Sequence, residues 1–243
     1  TNYNRKTAYT DLGFDRICFR EDFEDREFYF NRQFSTDESV YRNLLRWYEE
    51  EGNPPRLLYL LTIQNHGGYD NNDPEADIVH VQEEYDGLED QMNEYLTSIK
   101  MSDDAFRELI TYYQASDRPV YVCMVGDHCP SFAVNLAGKY LEGDDYEIAV
   151  RSVPFVIWSN VGEGRGDIGT ISLNYLLPTV LEEAGLPLSD YYEYMLALKK
   201  DVPVLSDMEF YMDAGGNIYE YGDDGPYKEK VDASFFMEYN NVM

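Results

Sequence analysis

Apolar residues along this chain fall into two rhythms, short continuous runs and longer stretches that repeat every three or four positions. Val120 to Val125 (Val-Tyr-Val-Cys-Met-Val) and Leu57 to Ile63 (Leu-Leu-Tyr-Leu-Leu-Thr-Ile) are runs of strand length. Their continuous apolar character is that of strands buried on both faces, as in parallel sheets. Val153 to Trp158 is a third, shorter run, and Pro154 assigns it to an edge or a strand start. Helical spacing predicts a helix from about Asp37 to Glu51 with Val40, Leu44, Leu45, Trp47 and Tyr48 inward. Ser35-Thr36-Asp37-Glu38 caps it, and Gly52 with Pro54-Pro55 ends it. From about Val81 to Ser116 the pattern is helical again. Tyr85, Leu88, Met92, Tyr95, Leu96 and Ile99 form one apolar face, continued by Phe106, Leu109, Ile110 and Tyr113.

Phe132 to Tyr140 reads as a short helix or a loop. Ser172 to Gly185 reads as a helix with Gly185 just past its end, and Leu188 to Lys199 as another. Strand, helices, strand is a crossover unit, which supports a parallel sheet. Residues 1–36 carry no clean period, beyond a short extended piece at 12–19. The tail from Asp201 reads as β-rich. In it, Phe210-Tyr211-Met212 and Ile218-Tyr219 flank the turn residues Asp213 to Asn217, a hairpin signal. The fold class is therefore α/β, a mainly parallel sheet flanked by helices with a hairpin-rich C-terminal tail.

Charge narrows the function classes. Forty-seven acidic residues against nineteen basic ones leave a net charge of −28. Nucleic-acid binding and adhesion to anionic lipid surfaces both need a basic face and are disfavoured. Aromatic residues reach 15%, 23 of them tyrosines, so disorder is not expected. No apolar run approaches the roughly 18–20 residues of a membrane span. No signal peptide is visible, and the chain opens at Thr1 without an initiator Met, as an excised piece of something longer would. Cys18, Cys123 and Cys129 are too few and too scattered for a disulfide framework or a CxxC zinc site.

Two of the three histidines follow directly on the two strongest strand candidates. Gly126 breaks the 120–125 run, and Asp127-His128 then stand at its carboxyl end, where open α/β sheets place ligands. A carboxylate beside an imidazole suits a divalent metal, although Gly-Asp-His alone is equally a polar surface turn. His66 follows the 57–63 run within Gln64-Asn65-His66-Gly67-Gly68-Tyr69, so parallel neighbouring strands would bring it to the same rim. Cys129 adjoins this place as a loop residue or a soft ligand. The acidic loop 70–74 lacks the alternation and closing Glu of a calcium loop. The glycines between 162 and 169 open no phosphate-binding helix.

Taken in order, several elements carry a family likeness. They are Asn65-His66 after a strand, a long helix, Gly126-Asp127-His128 after a strand, Val153 to Ile157, and Leu177-Pro178-Thr179-Val180-Leu181 with Gly185-Leu186-Pro187. The set resembles the C-terminal part of the alkaline-phosphatase-like sulfatase superfamily. Within it the likeness is to the lipoteichoic acid synthase, or phosphoglycerol transferase, branch. Tyr3-Asn4-Arg5 resembles that branch's Trp-Asn-Arg element, with Tyr where Trp is usual, and Leu12 to Asp15 the segment after it.

The resemblance implies that residues 1–200 are the C-terminal part of a catalytic domain and 201–243 its β-rich extension. It implies a divalent metal, commonly manganese, with magnesium, calcium or zinc as alternatives. Asp127 and His128 would be metal ligands; His66, Arg5 and Tyr3 would contact substrate. The nucleophilic threonine and an acidic ligand would lie upstream, so the chain alone is expected to be inert and to hold metal weakly. The parent would be membrane-anchored by an N-terminal region, on the outer face of a bacterial cell membrane. Its substrate would be a glycerophospho-lipid or another phosphate or sulfate ester. A sulfatase, a phosphoethanolamine transferase and a non-catalytic cell-surface binding module are the alternatives.

Overall fold

A computed structural model describes residues 4–29, 34–50, 52, 54–69, 76–164, 166–206 and 209–242. The acidic loop 70–74 and Tyr3 lie outside them. In chain order the helices and strands are α1 (Arg5–Asp11), α2 (Asp37–Glu50), α3 (Glu89–Gln114), β1 (Tyr121–Val125), α4 (Ser131–Tyr140), α5 (Gly143–Arg151) and β2 (Phe155–Ser159). They continue with α6 (Leu176–Glu183), α7 (Asp190–Lys199), β3 (Val204–Leu205), β4 (Phe210–Met212), β5 (Ile218–Glu220) and α8 (Lys228–Val242). The chain divides into two compact units, one made of residues 1–115 and 127–153, the other of 116–126 and 154–243.

The first unit is built on α2 and α3, and it contains Arg5, His66, Asp127 and His128. Helix α2 starts where the sequence predicts: the Thr36 hydroxyl accepts from the Ser39 N–H at 3.2 Å. Helix α3 starts at Glu89, after Asp86 and Gly87 take left-handed backbone angles. Its buried stripe differs from the predicted one. In the N-terminal half it is Glu94, Thr97 and Ser98; Ala105, Leu109 and Tyr113 continue it, while Ile99 is exposed. The polar residues are buried because they hold loops. Thr97 Oγ1 accepts from the N–H groups of Ile78 and Val79, and Asn93 Oδ1 from that of Val81. Buried polar atoms with such partners cost far less than orphaned ones. Lower down, Tyr113 packs edge-on against Tyr48 of α2, ring centroids 5.5 Å apart.

In the second unit β1 and β2 pair antiparallel, Tyr121 opposite Ser159 and Val125 opposite Phe155. The hairpin predicted in the tail is present as β4–β5, with β3 on its far side, again antiparallel. Leu198, Val202, Tyr211 and Val231 form the core between α7, this sheet and α8. Helix α8 replaces part of the expected β-rich tail. Its Val231 and Ser234 turn inward three apart, a helical spacing, and Lys, Glu, Ala and Met are good helix formers.

The expected parallel pairing is not what the described strands adopt. After β1 the chain passes through α4 and α5 and re-enters beside Val125, the end it left by, so β2 runs backwards. Apolar composition reports burial on two faces and carries no direction. Residues 57–63 take neither a helical nor a paired-strand pattern among the described residues.

Candidate metal and phosphate site

Asp127 and His128 follow β1 by one residue, at its carboxyl end as predicted, and both are exposed. Gly126 closes the strand by donating to Pro154 O at 3.0 Å. Asp127 Oδ1 accepts from the His128 N–H at 2.9 Å, fixing one carboxylate oxygen. His128 Nδ1 lies 3.0 Å from the Cys129 carbonyl. A carbonyl only accepts, so Nδ1 carries the hydrogen and, in the neutral ring, Nε2 keeps its lone pair. That Nε2 faces Asp127 Oδ2 at 3.5 Å.

Two acceptors thus stand opposite one another, an arrangement that a metal cation can bridge. Donors about 2.1 Å from one ion at a tetrahedral angle stand roughly 3.4 Å apart, so the pair fits two ligands of a divalent metal. The backbone carbonyl on Nδ1 is the outer partner that metal-bound histidines ordinarily have. No group of three or more His, Cys, Asp or Glu side chains placed to share an ion occurs among the described residues. The Cys129 thiol points to the carbonyls of Ala149 and Ser152, at 3.8 and 3.5 Å.

His66 is held by its neighbours. Its N–H donates to Ile63 O at 3.0 Å, its Nδ1 lies 3.4 Å from Gly67 O, and its ring meets Phe34 edge-on at 5.6 Å. Beneath it lies a polar network that sequence reasoning missed. Gln64 Oε1 accepts from the Asp37 N–H at 2.9 Å, and Gln64 Nε2 donates to Ser98 O at 3.0 Å. Asn65 Nδ2 donates to Ser102 Oγ at 3.0 Å, Ser102 Oγ donates to Asp37 Oδ2 at 2.7 Å, and Ser98 Oγ donates to Asn65 Oδ1.

Asp37 is 3% exposed. Burial pushes its carboxyl above the ordinary 3.8, and bonds from Ser102, Thr62 and Gln64 pull it partly back. A cleft of about 200 Å³ beside this network is lined by Glu38, Asp104 and Glu108, an acidic rim unsuited to an anion.

Three rings join the His66 loop to the segment after His128. Tyr69, Tyr95 and Phe132 meet pairwise edge-to-face at 5.4, 5.5 and 5.6 Å. Tyr69 is three residues past His66 and Phe132 four past His128, so the rings set where both turns leave the core. The hydrophobic pattern placed Tyr95 on an inward face but gave no sign that the other two rings would meet it.

Arg5, the first residue of α1, lies beside Tyr59. Burial around the Tyr59 hydroxyl raises its pKa, Tyr9 adds to this, and the Arg5 guanidinium acts against it. Asn4 before it sits at φ 51°, a left-handed angle that asparagine tolerates well.

The Sulfatase family model matches residues 1–186. A Rhizobium meliloti (strain 1021) protein described as a cyclic beta-1,2-glucan modification protein is 28% identical over 193 residues. The match takes in 75% of this chain and 30% of that protein. The Streptococcus pyogenes phosphoglycerol transferase GacH, solved in complex with sn-glycerol-1-phosphate, superposes with a TM-score of 0.68 at 20% identity. That superposition covers 96% of this chain and 56% of GacH, so the chain spans about half or less of these proteins' length. The fold is therefore alkaline-phosphatase-like, mixed helix and sheet with small antiparallel hairpin sheets toward the C-terminus. Enzymes of this superfamily generally use a divalent metal. By the match over residues 1–186, this chain belongs to the sulfatase family.

Proposed function

We propose that the chain is the C-terminal part of a metal-dependent phosphoglycerol transferase. The observation that carries this reading is the pair of facing acceptors, Asp127 Oδ2 and His128 Nε2, 3.5 Å apart at a strand end. Asp127 and His128 are the residues that would hold a divalent metal, manganese first among the candidates. When bound, the metal would polarise a phosphoryl oxygen and favour the ionised nucleophile. His66 donates to a non-bridging phosphate oxygen from a ring oriented by Gly67 and Phe34. Arg5 supplies a guanidinium fork suited to two phosphate oxygens, and Tyr3 an aromatic wall. The threonine nucleophile lies upstream of Thr1, so these residues bind and orient rather than attack, and the chain by itself is inactive.

The reaction is transfer of a glycerophosphoryl group from phosphatidylglycerol: diacylglycerol leaves, taking a proton, as the threonine ester forms, and an acceptor hydroxyl then takes the group, its proton returning to the released threonine. The relative described as a cyclic beta-1,2-glucan modification protein favours a saccharide hydroxyl, on a cell-surface polymer, over a glycerol-phosphate chain. With a lipid donor and a surface acceptor, this reading puts the parent at the outer face of the bacterial membrane, anchored by an N-terminal region.

The full-length protein, given a phosphatidylglycerol donor, manganese and a β-1,2-glucan, is expected to yield glycerophosphorylated glucan by mass spectrometry. Release of sulfate from an aryl sulfate, with no lipid cleavage, would move it to the sulfatase branch. No turnover of either would favour a non-catalytic binding module.

A further inference from the structure

In the first unit, the exposed His66 rests on a buried polar foundation. Gln64, Ser98 and Asp37 beneath it are 1, 0 and 3% exposed, and Asn65 and Ser102 are half-buried. Both amide side chains are held at both ends. Gln64 Nε2 donates to Ser98 O and to Ser102 Oγ, at 3.0 and 3.2 Å, and Gln64 Oε1 accepts from the Asp37 N–H. Asn65 Nδ2 donates to Ser102 Oγ, and Asn65 Oδ1 accepts from Ser98 Oγ. The Ser102 hydroxyl gives its one hydrogen to Asp37 Oδ2, so its lone pairs face the two amides.

Packing a loop on a helix needs none of this. Apolar side chains at 64 and 65 would hold the loop to α3 without the cost of desolvating these polar groups. What a satisfied buried network adds over apolar packing is a single geometry. The turn above the network is also closed from its far end. The Tyr69 hydroxyl donates to Asn65 O at 2.7 Å, across the span that holds His66. Tyr69 is 8% exposed and seated against Tyr95 and Phe132. Asn65 is therefore fixed at its side chain by α3 and at its carbonyl by Tyr69, and that carbonyl carbon is bonded to the His66 nitrogen.

We propose that Asn65 is the positioning residue of His66: its amide, locked between Ser98 and Ser102, and its carbonyl, held by Tyr69, set where the imidazole meets a phosphate ester. The Asn65 amide turns toward α3, so it acts through its neighbour and touches no substrate. Ser102 and Tyr69 are the groups that hold it. The proposal rests on the reading in which His66 contacts the substrate phosphate, and it adds how that contact is aimed.

In the full-length protein, Ser102→Ala and Tyr69→Phe each delete one hydroxyl and keep the carbon frame. Both are expected to fold, as a thermal melt checks, and to lower kcat/KM for phosphatidylglycerol at least ~10-fold. Ser102→Thr, which restores a hydroxyl, is expected to recover the activity. In a His66→Ala background the same changes are expected to have no further effect, because they act through the imidazole. Losses that add in full to that of His66→Ala would overturn the proposal, as would full activity in both variants. Deuterium exchange at the imidazole C2 carbon, followed by mass spectrometry, reads the same point without turnover. In Ser102→Ala the His66 rate is expected to shift while that of the exposed His80 stays as it was. An unchanged His66 rate counts against positioning. A full-length protein that turns over no lipid would sink the transferase reading, and the His66 exchange rate would then decide this inference alone.

Discussion

Asp37 gives the residue scale a measurable pH dependence. Burial raises its folded pKa above the ordinary 3.8, so between the two values the folded state binds more protons than the unfolded one. Its contribution is therefore most favourable at low pH and is lost as pH rises from 3.8 through the folded value. In Asp37→Asn that loss disappears. The variant's thermal midpoint is expected to be flatter than the parent's over this window, in a pH series of melts. A variant whose midpoint falls with pH as steeply as the parent's would contradict the assignment. Sequence reading saw Asp37 only as part of a helix cap, because its partners Thr62, Gln64 and Ser102 are far away in the chain. The strand-end position of Asp127 and His128 was legible, since a strand-breaking glycine is a local signal. The carbonyl that orients His128, and the two facing acceptors, are geometry that no sequence spacing states.

At the scale of elements, the Tyr69, Tyr95 and Phe132 rings do the work of joining two turns. Phe132 is 7% exposed, and Phe132→Ala removes two of the three ring contacts and leaves a cavity. A loss of about 3–5 kcal/mol is expected in urea unfolding, against under about 1 kcal/mol for truncation of an exposed aromatic. Helix positions were well predicted where period and stops agreed. Helix α2 began at its cap, and α6 stopped at Gly185, which takes φ 65°. The N-terminal half of α3's inward stripe was misread, because hydrogen-bonded Thr97 and Ser98 displaced the apolar residues expected there, while Leu109 and Tyr113 turn inward as predicted. Strand direction was not legible, because two-sided burial looks the same in either direction, and the described strands pair antiparallel. The 57–63 run has the composition of a covered strand, yet Leu57, Tyr59 and Leu61 are exposed and the run pairs with no described strand.

Across the whole molecule, a net charge of −28 opposes any phosphate ester that approaches. Over distances beyond a Debye length, about 8 Å at physiological salt, that repulsion is screened. Close in, Arg5 and a cation between Asp127 and His128 must reverse the local sign. On the proposed reading, metal and turnover are therefore expected to stand or fall together. The most direct measurement is manganese-dependent cleavage of phosphatidylglycerol by the full-length protein and by Asp127→Ala. The account predicts turnover that chelation abolishes and that Asp127→Ala lowers at least ~100-fold, with the variant still folded. Turnover equal in the variant, or indifferent to chelation, would contradict the metal role given to Asp127 and His128.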